Sequence, residues 1–159
     1  MRTAIVTGGS RGIGLAVARA ILEGGGRVAV TGLDAARLER AASELRESAG
    51  GDSSRVMPAR VDVRDRAGVE RLVADVEKTF GGFDTLVNNA GVGVFSDVEQ
   101  LSDEDWSRTL DTNLTGVFYC TRAAIPAMKR GGGGWIINIA SLAGRNYFPK
   151  GAAYCASKA

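Results

Sequence analysis

The chain has 159 residues, 45% of them hydrophobic and 24% charged, with a formal net charge of +2. That is enough for one domain burying roughly two-thirds of its unfolded surface, and too little clustered positive charge for a nucleic-acid binder. No apolar stretch reaches the ~18 residues that span a membrane, and the lack of histidine excludes His-based triads and His-ligated metals.

The start "MRTAIVTGGS" does not read as a signal peptide. Cys120 and Cys155 have no metal-ligand spacing and cannot build a disulfide framework, so no metal site is expected and the default compartment is the cytoplasm.

Strand-like and helix-like segments then alternate. "TAIVT" from Thr3 to Thr7 is short, β-branched and glycine-bounded, and reads as a buried strand. Helical spacing follows from Ile13 to Leu22 and ends in Gly24, Gly25 and Gly26. "RVAVTG" predicts a second strand. The next segment places Leu38, Ala41, Ala42 and Leu45 on one stripe of an amphipathic helix. "RVMPARVDV" predicts a third strand, and Val69, Leu72, Val73, Val76 and Phe80 form another helical stripe closed by Gly81 and Gly82. "FDTLVNNAG" is a fourth strand running into a loop.

Ser102 and Asp105 form a capping-box pattern that opens a long helical region to about Lys129, with Pro126 expected to kink or end it. "GGGGWIINIAS" is a glycine loop and a fifth strand, and a last helix begins near Gly151. Strands that are continuously apolar and alternate with helices imply a parallel sheet covered on both faces. The expected fold is a doubly wound α/β, Rossmann-like sheet forming a single domain over residues 1–159.

Ligands of such folds sit at the carboxyl ends of the strands. After the first strand stands "TGGSRGIG", whose glycines let the backbone turn tightly and approach a pyrophosphate at a helix N-terminus. It is not a P-loop, and Val17 occupies the third glycine position of Gly-x-Gly-x-x-Gly. "NNAG" follows the fourth strand; alone it is also an ordinary Asn-rich turn. Ser141 follows the fifth, and Tyr154 and Lys158 stand at i,i+4 spacing on the last helix.

In this order "TGGSRGIG", "NNAG", Asn113, Ser141 and "YCASK" resemble the short-chain dehydrogenase/reductase family over the whole chain, in its common small form. The resemblance implies a catalytic tetrad of Asn113, Ser141, Tyr154 and Lys158. It implies cofactor contacts at Gly8, Ser10, Arg11, Gly12, Ile13 and Gly14, at Asp62 and Val63, at Asn88, Ala90 and Gly91, and at Tyr154 and Lys158. Members continue well beyond the Tyr-x-x-x-Lys helix with two more strands. The implied dinucleotide-binding and catalytic domain therefore has five of the usual seven strands and is incomplete at its C-terminus.

The residue types suit the chemistry. A phenol ionises near pH 10, so a tyrosine acts as acid/base at neutral pH where a cation favours its phenolate. An ammonium about 5 Å away does so by roughly 3 kcal/mol at an effective dielectric of about 20. A serine hydroxyl can stabilise charge developing on the carbonyl oxygen. The resemblance adds a ribose contact for Lys158 and a water-holding role in a proton relay for Asn113, whose plain alternative is a local backbone bond.

The second strand ends in Gly32 and Leu33, where the family carries the acid or base that selects its cofactor. Arg11 matches a basic position of NADP users, and Arg37 is a second candidate or a residue of the exposed helix face. NADP(H) is therefore favoured over NAD(H). Val92 to Phe95 and Arg145 to Phe148 offer Phe95, Tyr147 and Phe148 as apolar walls for a small carbonyl or secondary-alcohol substrate. The expected activity is carbonyl–alcohol interconversion by hydride transfer, with a homo-oligomer as the full-length form. The alternative is a non-catalytic nucleotide-binding fragment or interaction module.

Overall fold

The computed structural model describes residues 2–159; Met1 lies outside them. Five strands form one parallel sheet in the order β3-β2-β1-β4-β5. They are β1 (Thr3–Val6), β2 (Arg27–Gly32), β3 (Val56–Arg60), β4 (Thr85–Asn88) and β5 (Trp135–Asn138). The connecting helices are α1 (Gly12–Glu23), α2 (Ala35–Ser48), α3 (Arg66–Phe80), α4 (Asp103–Leu110), α5 (Gly116–Arg130) and α6 (Ala152–Lys158). This is the doubly wound α/β architecture that the sequence leads one to expect.

Period-two alternation along the strands divides the core between two faces. Ala4 and Val6 of β1 face Ala18 and Leu22 of α1 and Leu38, Ala42 and Leu45 of α2. Ile5 faces the other way, with Leu72, Val76 and Phe80 of α3 and Cys120, Ala124 and Met128 of α5. The apolar stripes legible in the sequence of α2 and α3 are thus the buried faces of those helices. Gly81 closes α3 at φ 77°, a left-handed conformation that glycine adopts without steric cost.

Three local outcomes differ from the sequence-based expectation. The third strand is shorter than "RVMPARVDV" and carries Pro58, which is tolerated because β3 lies at a sheet edge. The long helix opens at Ser102, whose Oγ accepts from Asp105 N at 3.1 Å, but a π-helical turn over Asp111–Thr115 interrupts it. Pro126 does not end it: α5 continues to Arg130, with Pro126 on the exposed side and Ala127 and Met128 anchored in the core.

At the opposite edge, β5 pairs with β4 alone, and Trp135 and Ile137 are 63% and 47% exposed. Cys120, by contrast, is fully packed, and burial pushes its thiol up to about 12. Alkylation needs the thiolate and access, and Cys155 is only half-buried. Iodoacetamide at pH 8 should therefore label the native chain at Cys155 and leave Cys120 unmodified, with both labelled in denaturant. Peptide mass mapping checks this; native labelling at Cys120 would mean that the α5 face of the core opens readily.

Candidate functional site

The loops after β1, β2, β3 and β4 enclose a cavity of about 910 Å3 at the carboxyl ends of the strands. A second cavity of about 450 Å3 shares Ile13, Asn89, Gly91, Val92 and Gly93 with it, and adds Ser141, Tyr154 and Lys158. The two form one groove, with Ser141, Tyr154 and Lys158 at one end.

The first loop is shaped by backbone geometry. Gly8 and Gly12 have φ values of 64° and 56°, the left-handed region that favours glycine. Gly8 also lies so close to the fourth loop that a Cβ would fall 2.9 Å from Ala90 Cα. Asn89 locks this approach: its Nδ2 donates to Thr7 O at 2.9 Å and Gly8 O at 3.1 Å. Thr7 Oγ1 in turn accepts from Asn89 N and Ala90 N, each at 3.0 Å. Helix α1 starts without a side-chain cap and without an acidic residue in its first turn, which leaves its N-terminal amides for an anion. A glycine cradle, an uncapped helix end and an elongated cavity together fit a dinucleotide.

Gly8, Ser10, Arg11, Gly12, Ile13, Asp62, Val63, Ala90 and Gly91 line the larger cavity. Gly14 and Asn88 line neither. Gly14 is a packing position, where a Cβ would meet Asn89 Nδ2 at 2.4 Å. Asn88 is buried, and its Nδ2 donates to Asn138 Oδ1 at 2.9 Å and Thr121 Oγ1 at 3.1 Å, tying β4 to β5 and α5. Asn89, Thr31, Asp34, Arg108 and Thr112 also line the larger cavity, and sequence reasoning does not single them out. Asn89 stands inside the Asn-Asn-Ala-Gly motif; Arg108 and Thr112 carry no signal beyond i,i+4 spacing on a helix.

Four arginines border the larger cavity, and three are held by carboxylates: Arg37 by Asp34, Arg64 by Asp62 and Arg108 by Asp105. Arg37 is exposed, yet its helix start puts it beside the cavity. The hydrogen bonds from the Arg64 side chain hold the Asp62 carboxyl below the usual carboxylate range. Among the described residues, Arg11 alone of the four has no ion pair.

At the Tyr154 end, α6 buries Ala153 and Ser157, which turns the adjacent pair Tyr154 and Lys158 toward the cavity. Lys158 Nζ donates to Ile139 O at 2.9 Å and lies 6.0 Å from the centroid of the Tyr154 ring. Burial lowers the Lys158 pKa from the ordinary lysine value. Ser141 stands at the head of the Leu142–Gly144 turn, with its Oγ accepting from Ala143 N at 3.2 Å. Gly144 brings that turn against the end of α6, where a Cβ would lie 2.0 Å from Lys158 O.

Asn113 does not line either cavity. It sits in the π turn with three side-chain bonds, none of them local: Oδ1 accepts from Val92 N at 2.8 Å, and Nδ2 donates to Val92 O at 2.8 Å and Ser157 Oγ at 2.9 Å. The side chain therefore joins the loop after β4 to α6. Tyr147, 92% exposed, lines neither cavity, whereas Phe95 lines the smaller one.

Known proteins resemble this chain in sequence and fold. The profile of the short chain dehydrogenase family matches residues 2–159. The chain is 41% identical over 158 residues to an NADP-dependent (R)-specific alcohol dehydrogenase of Lentilactobacillus kefiri, covering 99% of this chain and 61% of that one. It is 39% identical over 157 residues to a D-beta-hydroxybutyrate dehydrogenase of Rhizobium meliloti, covering 99% and 60%. The crystal structure of an alcohol dehydrogenase from the archaeon Thermococcus sibiricus, complexed with 5-hydroxy-NADP, superposes with a TM-score of 0.90 at 34% identity, covering 99% of this chain and 66% of that one. The chain spans about 60% of the length of these curated relatives. It belongs to the short-chain dehydrogenase family.

Replacing Asn113 tests the joint it makes. Asn113→Ala should cost about 1–3 kcal/mol of stability, because it strips the half-buried Val92 N–H and the buried Ser157 hydroxyl of a partner. Asn113→Asp should not rescue it, since it sets a carboxylate oxygen against Val92 O. Urea unfolding curves of the three proteins check both statements.

Proposed function

We propose that this chain carries the catalytic core of an NAD(P)(H)-dependent oxidoreductase that interconverts a carbonyl and a secondary alcohol. The observation behind the proposal is that Ser141, Tyr154 and Lys158 line one cavity continuous with a dinucleotide-sized groove. The nicotinamide, when bound, supplies or accepts the hydride. Tyr154 gives its hydroxyl proton to the carbonyl oxygen on reduction and takes it back on oxidation. Ser141 donates a hydrogen bond to the same oxygen as negative charge develops there. Lys158, its ammonium held by Ile139 O and 6.0 Å from the centre of the Tyr154 ring, is the cation on that side of the cavity. Asn113 is a positioning residue in this scheme, since it acts through Val92 and Ser157.

We further propose a preference for NADP(H). Arg11 borders the groove with no ion pair among the described residues, so its guanidinium is available to a 2′-phosphate. An acid at position 32 would meet the ribose 2′-hydroxyl of NAD, but the site holds Gly32, and a Cβ there would fall 2.9 Å from Ser10 Oγ. The NADP dependence named for the Lentilactobacillus enzyme and the 5-hydroxy-NADP in the Thermococcus structure support the same choice.

The substrate is a small molecule. Leu114, Phe118 and Ile125 are exposed along the α5 side of the long helix and support self-association of the whole protein. No described helix is long and apolar enough to cross a membrane.

Calorimetric titration should give tighter binding of NADPH than of NADH, and Arg11→Ala should weaken NADPH by about tenfold while changing NADH little. Tyr154→Phe, assayed in the full translation product, should lower turnover by roughly 10²–10⁴-fold with cofactor affinity nearly intact. Near-normal turnover by this variant would overturn the acid/base assignment. Binding without turnover by the unaltered protein would favour a non-catalytic nucleotide-binding module.

A further inference from the structure

Phe95 lines the smaller cavity next to Tyr154, and Phe148 packs on Phe95 from outside that cavity. The Phe95 ring lies 5.7 Å from Phe148 and 5.8 Å from Tyr154, centroid to centroid, tilted on the first and edge-on to the second. Each ring rests on a glycine. A Cβ at Gly93 would fall 2.8 Å from Phe95 Cζ and 3.4 Å from Tyr154 Cδ2, and a Cβ at Gly151 would fall 2.7 Å from the Phe148 ring. A larger residue at either position would displace the ring above it.

The two loops that carry these rings are also fastened together. Ser96 N donates to Lys150 O at 3.0 Å, and Lys150 Nζ pairs with Asp97 at 3.5 Å. Lys150 has a φ of 67°, among the described residues the only non-glycine in the left-handed region. Such a conformation persists where the surrounding structure over-determines it. The aromatic cluster is therefore a pre-formed wall at the reactive end of the groove. Even so, 59% of Phe95 and 38% of Phe148 stay exposed. That apolar surface gains about 25 cal/mol per Å2 once a ligand covers it.

The rest of the smaller cavity fits the same ligand. Ile13, Val92, Ile139 and Ala140 line it, and among the described residues its only charged lining residue is Lys158, already engaged with Ile139 O. No described arginine lines it to receive a substrate carboxylate. Resting on the oxidoreductase reading above, we infer that the substrate is a neutral ketone or secondary alcohol bearing an aromatic or similarly flat apolar group, which packs against Phe95, braced from behind by Phe148, while its oxygen meets Ser141 and Tyr154. Short hydroxy- and oxo-carboxylates are the class this wall disfavours. Reduction of such a ketone takes a hydride from NAD(P)H at carbon and the Tyr154 proton at oxygen, and yields the alcohol and NAD(P)+.

The test compares acetophenone, 2-butanone and 3-oxobutanoate with NADPH in the full translation product, and reads acetophenone binding separately by saturation-transfer NMR. Acetophenone should have the highest kcat/KM. Phe95→Ala and Phe148→Ala should each lower the acetophenone-to-butanone ratio of kcat/KM by about tenfold, and Phe95→Tyr, which keeps a ring, should largely preserve it. Thermal melts confirm that the variants are folded; if Phe95→Ala is not, Phe95→Leu takes its place. A preference for 3-oxobutanoate, or an unchanged ratio in folded variants, overturns the inference and leaves the oxidoreductase reading standing. If no carbonyl is turned over, the activity reading fails by itself. In that case an acetophenone saturation-transfer signal that disappears in Phe95→Ala still supports the wall, and an absent or unaltered signal overturns it.

Discussion

The Tyr154 end of the groove depends on one amide side chain. Asn113 holds both the N–H and the C=O of Val92 and also the hydroxyl of Ser157. One of those partners lies in the loop after β4, the other on the buried face of α6. The loop is tied separately to the glycine loop through Asn89 and Ala90, and α6 to the end of β5 through Lys158, but Asn113 joins the two elements by its side chain. Helix α6 is only 7 residues long, well short of the length at which a helix is stable unaided. Its buried face offers Ala153 and Ser157, which contribute little apolar area. A shared side chain that bonds both pieces fixes their distance, and with it the position of Tyr154 relative to the cavity floor.

The π turn explains how Asn113 comes to occupy that place. Over Asp111–Thr115 the hydrogen bonding shifts to i→i−5, with Gly116 N donating to Asp111 O. The extra residue bulges the helix locally and breaks the 3.6-residue register between α4 and α5. Gly116 permits this, since a Cβ there would fall 2.7 Å from Val63 Cγ2. The amphipathic pattern of the flanking helices reads through "DTNLTG" without a break, so nothing in the sequence reports the turn. Elsewhere periodicity is sufficient. The stripes of α2 and α3 are legible because each buried face repeats an apolar residue every three or four positions, and β1, β2 and β4 because glycines and polar turns bound short apolar runs. Pro126 misleads for the opposite reason: a proline on the exposed side of a helix frees only a carbonyl that water can reach, and the packed Ala127 and Met128 keep the last turn in place.

The candidate site divides along the same line. The glycine loop is legible because positive φ values demand glycine, and "NNAG" because small and polar residues recur where backbone segments touch. The wall beyond Tyr154 is only partly legible. Phe95, Tyr147 and Phe148 are equivalent as letters, yet the fold brings two of them together and leaves Tyr147 in solvent. The discriminating information is the pair of glycines beneath the rings and the bond between the two loops, both of which are long-range. Charge is similar. Each of Arg37, Arg64 and Arg108 pairs with an acid two or three residues away in sequence, so local pairing, not arginine count, determines which guanidinium is left to meet a ligand.

A last dependence runs through the sheet edge. Ile139 and Ser141 follow β5, an edge strand with exposed residues on both faces. Burial cannot fix its end. Hydrogen bonds do: Ile139 N donates to Asn88 O at 2.9 Å, and the Asn88 side chain donates to Asn138. Lys158 then takes its position from Ile139 O, so the ammonium beside Tyr154 is referred, through two bonds, to β4 in the middle of the sheet. Asn88 thus acts on the site from outside it. In the sequence it stands among the residues expected to touch a cofactor, but its buried amide is turned into the sheet. There it ties the edge strand to β4 and α5. The first two letters of "NNAG" divide the labour, Asn88 fixing the strand under the reactive pair and Asn89 fixing the glycine loop.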